Sequence, residues 1–408
     1  MSDQFYPWLQ SDPVRRIMEI ARTGGGEARV VGGAVRDALL GRHVNEIDFA
    51  STLPPEDLTA LMKTAGIKTV PTGIEHGTIT AVIDGTGYEI TTLRHDVETD
   101  GRHAKVAFTD DWQADAARRD FTMNALYVDA DGKLYDFFDG RKDLATGHVR
   151  FIGDARARIR EDVLRILRFF RFTAWFGRGE VDGDVDAEGL AACRELAGLI
   201  PTLSVERIWR EIVKLLAADN PAHVWRLMVD NKILDAVLPE ATNVARLEAL
   251  LTVEKKYEKP ALSLRRLAAL LPPEANIATW VAQRLKLSNR EAEKLHILLT
   301  LPAILNGKLD PIPFRRAIYE YDVENASDAA LLCAATHPEH DLEPALTAAA
   351  TWENPVLPLQ GQDLLKLGFT QGPELGQTLK TIEDYWISGN FLPTRDECLA
   401  MAKKLKSL

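Results

Sequence analysis

Apolar residues recur with two different periods along this chain, and the change falls near Val149. Before it, short apolar or alternating runs are separated by Gly, Pro and polar clusters. After it, apolar positions return every three or four residues to the C-terminus, the pattern of amphipathic helices. Residues 1–25 predict a helix, with Val14, Ile17, Met18 and Ala21 on one face and Gly24-Gly25-Gly26 ending it. Val30-Val31 predicts a strand running into a Gly32-Gly33 turn and a helix-like stretch with Arg36 and Asp37. Glu46-Ile47-Asp48-Phe49 alternates as a strand does, so Glu46 and Asp48 should project together. A helix is predicted over Pro55–Ala65. HGTITAVIDGTGYEITTLR then reads as a hairpin turning at Asp84–Gly87, with Glu89 on the return strand. Arg94–Phe108 (RHDVETDGRHAKVAF) is polar and irregular and predicts a loop. Asp120 and Asn124 read as i, i+4 on a helix.

Beyond Val149 the first helix should carry Glu161, Asp162, Arg165, Arg168 and Arg171, with Asp162, Arg165 and Arg168 sharing a face and Glu161 pairing with Arg165. Ser204–Leu216 predicts another helix, with Ser204 as its N-cap and Glu211 four residues after Arg207. Residues 217–408 read as Leu- and Ala-rich helices, with Gly372-Pro373 opening one of them. The expected organisation is an α/β domain over residues 1–148, a helical segment over 149–216 and an all-helical remainder over 217–408.

Composition adds limits. The 408 residues are 46% hydrophobic and 27% charged, an ordinary globular balance for two or three domains. Cys193, Cys333 and Cys398 lie far apart, which argues against a disulfide framework or zinc site. The first residues, MSDQFYPWLQSDP, have no basic or apolar signal region, and no apolar run suits a membrane span, so a cytoplasmic protein is expected. The net charge of −11 argues weakly against nucleic acid, but Arg141–Arg178 holds ten Lys/Arg against four Asp/Glu. Such a basic strip suits phosphate, although a solvated helix face is the ordinary alternative.

Adjacent carboxylates repel unless a cation lies between them, and Mg²⁺ is the usual cation where phosphate is the substrate. Glu46 and Asp48 are the candidate metal pair. A glycine pair between strand and helix lets a triphosphate approach the backbone. Alone, Gly-Gly is an ordinary turn and E-x-D a solvated strand face. Their separation by residues 34–45, with Arg36 between, makes the combination specific. His337, His340 and Asp341 (HPEHD) read instead as a plain Pro-containing loop.

The string GGAVRDALLGR followed by two closely spaced carboxylates resembles the class II tRNA nucleotidyltransferases, or CCA-adding enzymes, and their bacterial poly(A) polymerase relatives. RRDFTMNAL, YDFFDGRKDL, EDVLRILRFF, ERIWREIVKLL and, more thinly, Gly361–Leu379 match further elements of that family. The resemblance implies an α/β nucleotidyltransferase palm followed by a helical neck, body and tail. It implies two Mg²⁺ ions on Glu46 and Asp48, with Glu89 as third catalytic carboxylate. The family normally has Asp at the first metal position, and Glu46 is one methylene longer. Gly32, Gly33, Arg36, Asp37, Arg118 and Arg119 would bind nucleotide, the arginines offering bidentate donors to phosphate. Asp162 and Arg165 would read the base edge, with Arg168 and Arg171 nearby to bind nucleotide or phosphate. YDFFDGRKDL would be a hinge, Ser204–Leu216 a brace for the neck, and the helix start at Gly372-Pro373 a possible tRNA phosphate contact. Arg94–Phe108 would be the loop used to switch from C to A addition.

The implied function is template-independent addition of CCA to the tRNA 3′ end from CTP and ATP, with no membrane or obligate protein partner. A poly(A) polymerase, or an enzyme adding only CC or only A, is the alternative. LPPEDLTALMKTAG lacks the basic G-[RK]-[RK]-F segment that poly(A) polymerases tend to carry. A decayed RNA-binding scaffold rests only on Glu46.

Overall fold

Ala28–Val31 is apolar apart from Arg29 and wholly buried, and it becomes β1, the strand on which the first half of the chain is built. The computed structural model describes residues 6–74, 77–100, 103–178, 185–305 and 311–406. They fall into two compact units, Met1–Pro239 and Glu240–Leu408. The expected head and neck both lie in the first unit, together with residues 217–239 of the expected body. Among the described residues no helix is long and apolar enough to cross a membrane.

The first unit opens with α1 (Asp12–Thr23), whose buried face is Val14, Ile17, Met18 and Ala21. The helix is shorter than predicted because Pro13 suits a first turn, and a separate 3₁₀ turn, Pro7–Gln10, precedes it. After β1 come α2 (Gly33–Leu39), β2 (Asp48–Ser51), α3 (Pro55–Thr64), β3 (Lys68–Gly73), β4 (Thr78–Ile83) and β5 (Thr86–Thr92). Next are β6 (Arg94–Asp100), β7 (His103–Phe108), α4 (Trp112–Ala117), β8 (Leu126–Val128) and β9 (Leu134–Asp136).

Seven strands form one mixed sheet in the order β3-β4-β5-β2-β1-β8-β9. Among the described strands of this sheet, β2 and β5 are the one parallel pair. The hairpin prediction holds, with Ile79, Ala81, Ile83 and Ile90 buried.

Arg94–Phe108 is not a loop. β6 and β7 form a two-stranded ribbon from Arg94↔Phe108 to Asp100↔His103, with a register shift between Asp96 and Glu98. Polar residues at both parities erase the period-two signal by which a strand is read. Gly101 and Arg102 lie outside the described residues.

The helices after the sheet are α5 (Gly140–Thr146), α6 (Ala155–Glu161), α7 (Leu164–Phe176), α8 (Ala187–Leu196), α9 (Val205–Leu216) and α10 (Ala222–Asp230). Phe121 joins sheet to helices, with its ring 5.0 Å from Phe151 and 5.1 Å from Phe172. At α5 the backbone passes so close to residue 122 that a Cβ on Gly140 would lie 2.2 Å from the Thr122 carbonyl oxygen. Asp143 closes that crossing, accepting from the Thr122 hydroxyl at 2.6 Å and from Arg150 Nε at 3.1 Å.

The second unit is all-helical: α11 (Val244–Lys256), α12 (Ser263–Leu270), α13 (Ala275–Arg284), α14 (Asn289–Leu305), α15 (Pro311–Tyr321), α16 (Val323–Thr336), α17 (Glu343–Ala350), α18 (Gly361–Lys366), α19 (Pro373–Ser388) and α20 (Arg395–Lys406). Pro373 does open α19. Inside the unit lies a buried ion network. Arg265 reaches Glu254 and Asp328, both at 2.6 Å, while Arg266 takes the other oxygen of Glu254 at 2.8 Å. Lys294 meets Asp328 at 2.9 Å. Charges this deep persist only when paired. Glu254→Ala would leave two buried guanidinium groups without their shared carboxylate. It should destabilise the unit by about 3–5 kcal/mol in urea unfolding, whereas removing an exposed pair such as Arg22–Glu19 should leave the urea midpoint essentially where it was.

Candidate active site

Strand register assembles the acidic side of the site. Val31 on β1 pairs with Asp48 on β2, so the turn leaving β1 at Gly32 starts beside that carboxylate. Phe49 pairs with Ile90 in the parallel ladder, which sets Asp48 next to Glu89 at about 4.8 Å between strands. Gly32 holds φ at 73°, a left-handed value that favours glycine, and its N–H donates to the Leu126 carbonyl at 3.1 Å. Glu46 departs from the expectation: β2 begins at Asp48, and Glu46 lies in the irregular segment before it, exposed. Its charge still reaches Asp48. Loss of water around Asp48, then the negative charges of Glu89 and Glu46, push its carboxyl up to about 6. Arg119 offsets only part of this, and an oxygen-only donor set with residual negative charge fits a hard divalent cation.

The opposite side is cationic. Arg36, Arg118, Arg119 and Arg168 line one cleft of about 330 Å³ with Gly32, Gly33, Asp48 and Glu89. Each arginine is steered by a neighbour. Arg36 donates to Asp37 at 2.9 Å and to Asn124 at 2.7 Å. Burial lowers its pKa. Arg118 and Arg119 both grip Asp115, at 2.7 and 3.2 Å, and Tyr127 donates to the same carboxylate at 2.7 Å. Burial would raise the Asp115 carboxyl, but the two guanidinium groups hold it below its ordinary value. Arg168 donates through Nε to Asp120 at 2.7 Å.

Asp120 and Asn124 do not share a helix as predicted. α4 ends at Ala117, and Asp120 instead accepts from the Phe121 N–H at 2.8 Å and from Asn124 Nδ2 at 2.9 Å. Aspartate and asparagine compete with the helical backbone in this way. A chain of bonds therefore runs Arg168–Asp120–Asn124–Arg36 across the cleft.

The base-reading candidates are placed differently. The single helix expected here breaks between α6 and α7, so Asp162 and Arg168 do not share a helix face. Asp162 sits in the gap with extended backbone, at the C-terminal end of α6, and accepts from the Leu164 N–H at 3.1 Å. Arg207 donates to both Asp162 oxygens at 3.0 Å. The expected Glu161–Arg165 pair forms at 2.7 Å. Arg165 also donates to the Arg158 and Arg118 carbonyls, each at 2.9 Å. Glu211 pairs with Arg171 at 2.5 Å rather than locally with Arg207. Asp37, Glu46, Asp162, Arg165 and Arg171 are thus not among the residues lining the cleft.

Sequence reading missed Asp115 and Tyr127 as holders of the two arginines, and Thr78, Thr91 and Phe172 as cleft walls. The spacing of Asp115 three and four residues before Arg118 and Arg119 was a readable helical signal. Tyr127 had none.

A carboxyl whose folded pKa stands above its unfolded value of 3.8 favours folding below that value and loses the advantage as pH rises through 6. Asp48 is exposed at the strand end, so water screens part of this effect. Asp48→Asn should therefore raise the metal-free unfolding midpoint slightly near pH 8 and leave it unchanged near pH 4. Scanning fluorimetry at both pH values checks this.

Comparison with known proteins agrees with this geometry. The family described as "Poly A polymerase head domain" matches residues 28–150, and "Probable RNA and SrmB- binding site of polymerase A" matches residues 184–244. CCA tRNA nucleotidyltransferase 1, mitochondrial, of Danio rerio is 36% identical over 400 residues, covering 96% of this chain and 90% of that protein. The CCA-adding enzyme of Streptococcus sanguinis is 33% identical over 383 residues, covering 91% and 92%. The crystal structure of the Bacillus stearothermophilus CCA-adding enzyme in complex with CTP superposes with a TM-score of 0.75 at 25% identity over 98% of both chains. With its mixed sheet, helical remainder and cleft of facing carboxylates and arginines, the chain belongs to the CCA tRNA nucleotidyltransferase, or CCA-adding enzyme, family.

Proposed function

We propose that this nucleotidyltransferase adds C, C and A in turn to the 3′ end of tRNA from CTP and ATP, releasing pyrophosphate and using no nucleic-acid template. The observation that carries the reading is the single cleft in which Asp48 and Glu89 face Arg36, Arg118, Arg119 and Arg168. Family membership implies divalent metal dependence, and the oxygen-only donors favour Mg²⁺. Asp48 and Glu46 would hold it, with Glu89 as the third carboxylate. Bound there, it would polarise the 3′-hydroxyl and the α-phosphate.

The other residues bind and orient. Arg36, Arg118 and Arg119 are the triphosphate ligands, with Arg168 beside them. Each is held by a second contact, so little side-chain freedom is lost when phosphate arrives. The glycine turn admits the triphosphate close to the backbone. Asp162 and Arg165 are the base readers. The bonds described above occupy three of the five N–H donors of Arg165, and the Asp162 carboxylate keeps acceptor sites beyond those Arg207 and Leu164 take. Acceptors and donors held together in this way can select C or A over U or G. Arg171, tied to Glu211, braces the neck. The ribbon β6–β7 takes the part of the element that switches from C to A addition.

A gel assay at single-nucleotide resolution tests the reading, with tRNA lacking its 3′ end, CTP and ATP separately and together, and Mg²⁺. The expected product is two C residues followed by one A and no more. A long A ladder would make the chain a poly(A) polymerase, and a stop after CC would remove the switching role from β6–β7. No product in Mg²⁺ or Mn²⁺ would overturn the enzyme reading. Asp48→Ala should lower the rate by roughly 10³-fold or more, and Glu46→Asp should preserve or raise it. Because Asp48 must give up its proton to bind metal, activity at limiting Mg²⁺ should also fall as pH drops through about 6, and saturating Mg²⁺ should move the fall to lower pH.

A further inference from the structure

His337, Glu339 and His340 lie in the short turn between α16 and α17, in the second unit. Nothing in the nucleotidyl transfer described above uses them. His337 Nδ1 is 3.3 Å from Glu339 Oε1, and His340 Nε2 is 3.5 Å from the same oxygen. The three potential ligand atoms all lie within 4.8 Å of one another. Bonds of about 2.0–2.1 Å to a tetrahedral zinc put neighbouring ligand atoms roughly 3.3 Å apart, so two edges of the triangle already have that length.

The rings do not stack on each other: their planes are tilted by 59° with centroids 5.7 Å apart. Both imidazoles therefore turn a nitrogen to one shared carboxylate oxygen. The backbone is set as well. The His337 N–H donates to the Cys333 carbonyl at 2.8 Å, ending α16, and the His340 N–H donates to the His337 carbonyl at 3.1 Å, closing the turn around Pro338. Buried residues anchor both sides, Cys333 and Leu332 before the turn and Leu342 after it. Asp341 is engaged elsewhere, accepting from the Glu343 N–H at 3.1 Å at the start of α17. The side chains of His337, Glu339 and His340 are all open to solvent, which leaves room for water as a further ligand.

We propose that His337, Glu339 and His340 form a surface site for a borderline transition-metal ion, Zn²⁺ in the first instance, that clamps the α16–α17 turn. Two imidazoles with one carboxylate select such an ion over Mg²⁺, which prefers an all-oxygen shell. The site is distinct from the carboxylates of the first unit and does not depend on the function proposed for them.

Isothermal titration of the full chain with ZnCl₂, thiols kept reduced, tests it in an Asp48→Ala background that weakens metal binding at the cleft. One Zn²⁺ equivalent should disappear, or weaken on the order of tenfold or more, in a His337→Ala/His340→Ala variant. Glu339→Gln should weaken it less, and the zinc-dependent rise in unfolding midpoint should vanish in the double variant. The exposed substitutions should leave the zinc-free midpoint unchanged. Equal stoichiometry and affinity in parent and double variant would overturn the proposal.

Discussion

Val31, Asp48 and Glu89 stand in a row because β1, β2 and β5 are neighbours locked in one register. A one-residue slip of β2 would turn Asp48 to the other face of the sheet. Phe49 and Ala50, both buried, make that slip expensive. The core of the first unit thus holds together carboxylates that repel one another. The raised Asp48 pKa reflects loss of water first and that repulsion second.

The cationic side solves the opposite problem. Free arginines crowded into one cleft would repel, and their long side chains would be disordered. Instead Asp115 serves Arg118 and Arg119, Asp120 serves Arg168, and Asn124 and Asp37 steer Arg36. Asp115 and Asp120 are buried. Each therefore acts as a fixed counter-charge at the base of a cation whose far side faces the cleft. The second unit keeps a comparable arrangement around Arg265, but buried among its helices.

Much of this was legible in the sequence. The glycine turn, the Asp48 strand, the Glu89 hairpin and the Arg118-Arg119 pair are short-range features, and local sequence carries local geometry. The Glu161–Arg165 pair followed from helical spacing. What sequence could not carry were partners chosen by tertiary packing. Arg207 stands four residues before Glu211 and is its natural mate by spacing, yet the fold gives Glu211 to Arg171 and Arg207 to Asp162. The break at Asp162 is hidden because its carboxylate takes the Leu164 N–H two residues on, a local bond that competes with helical continuation and leaves no apolar signal. The β6–β7 ribbon was invisible because backbone pairing, unlike burial, leaves no apolar period.

Arg165 donates to the backbone carbonyl of Arg118, so a residue proposed to choose the base leans on the segment that carries two residues proposed to hold the phosphates. Selection among nucleotides and grip on their common triphosphate are then not separable modules. An engineer who altered position 165 to accept a new base would shift the anchorage of every nucleotide at once. Natural drift faces the same linkage: changes of preference at this position would survive mainly in lineages that also acquired compensating changes around residues 115–120.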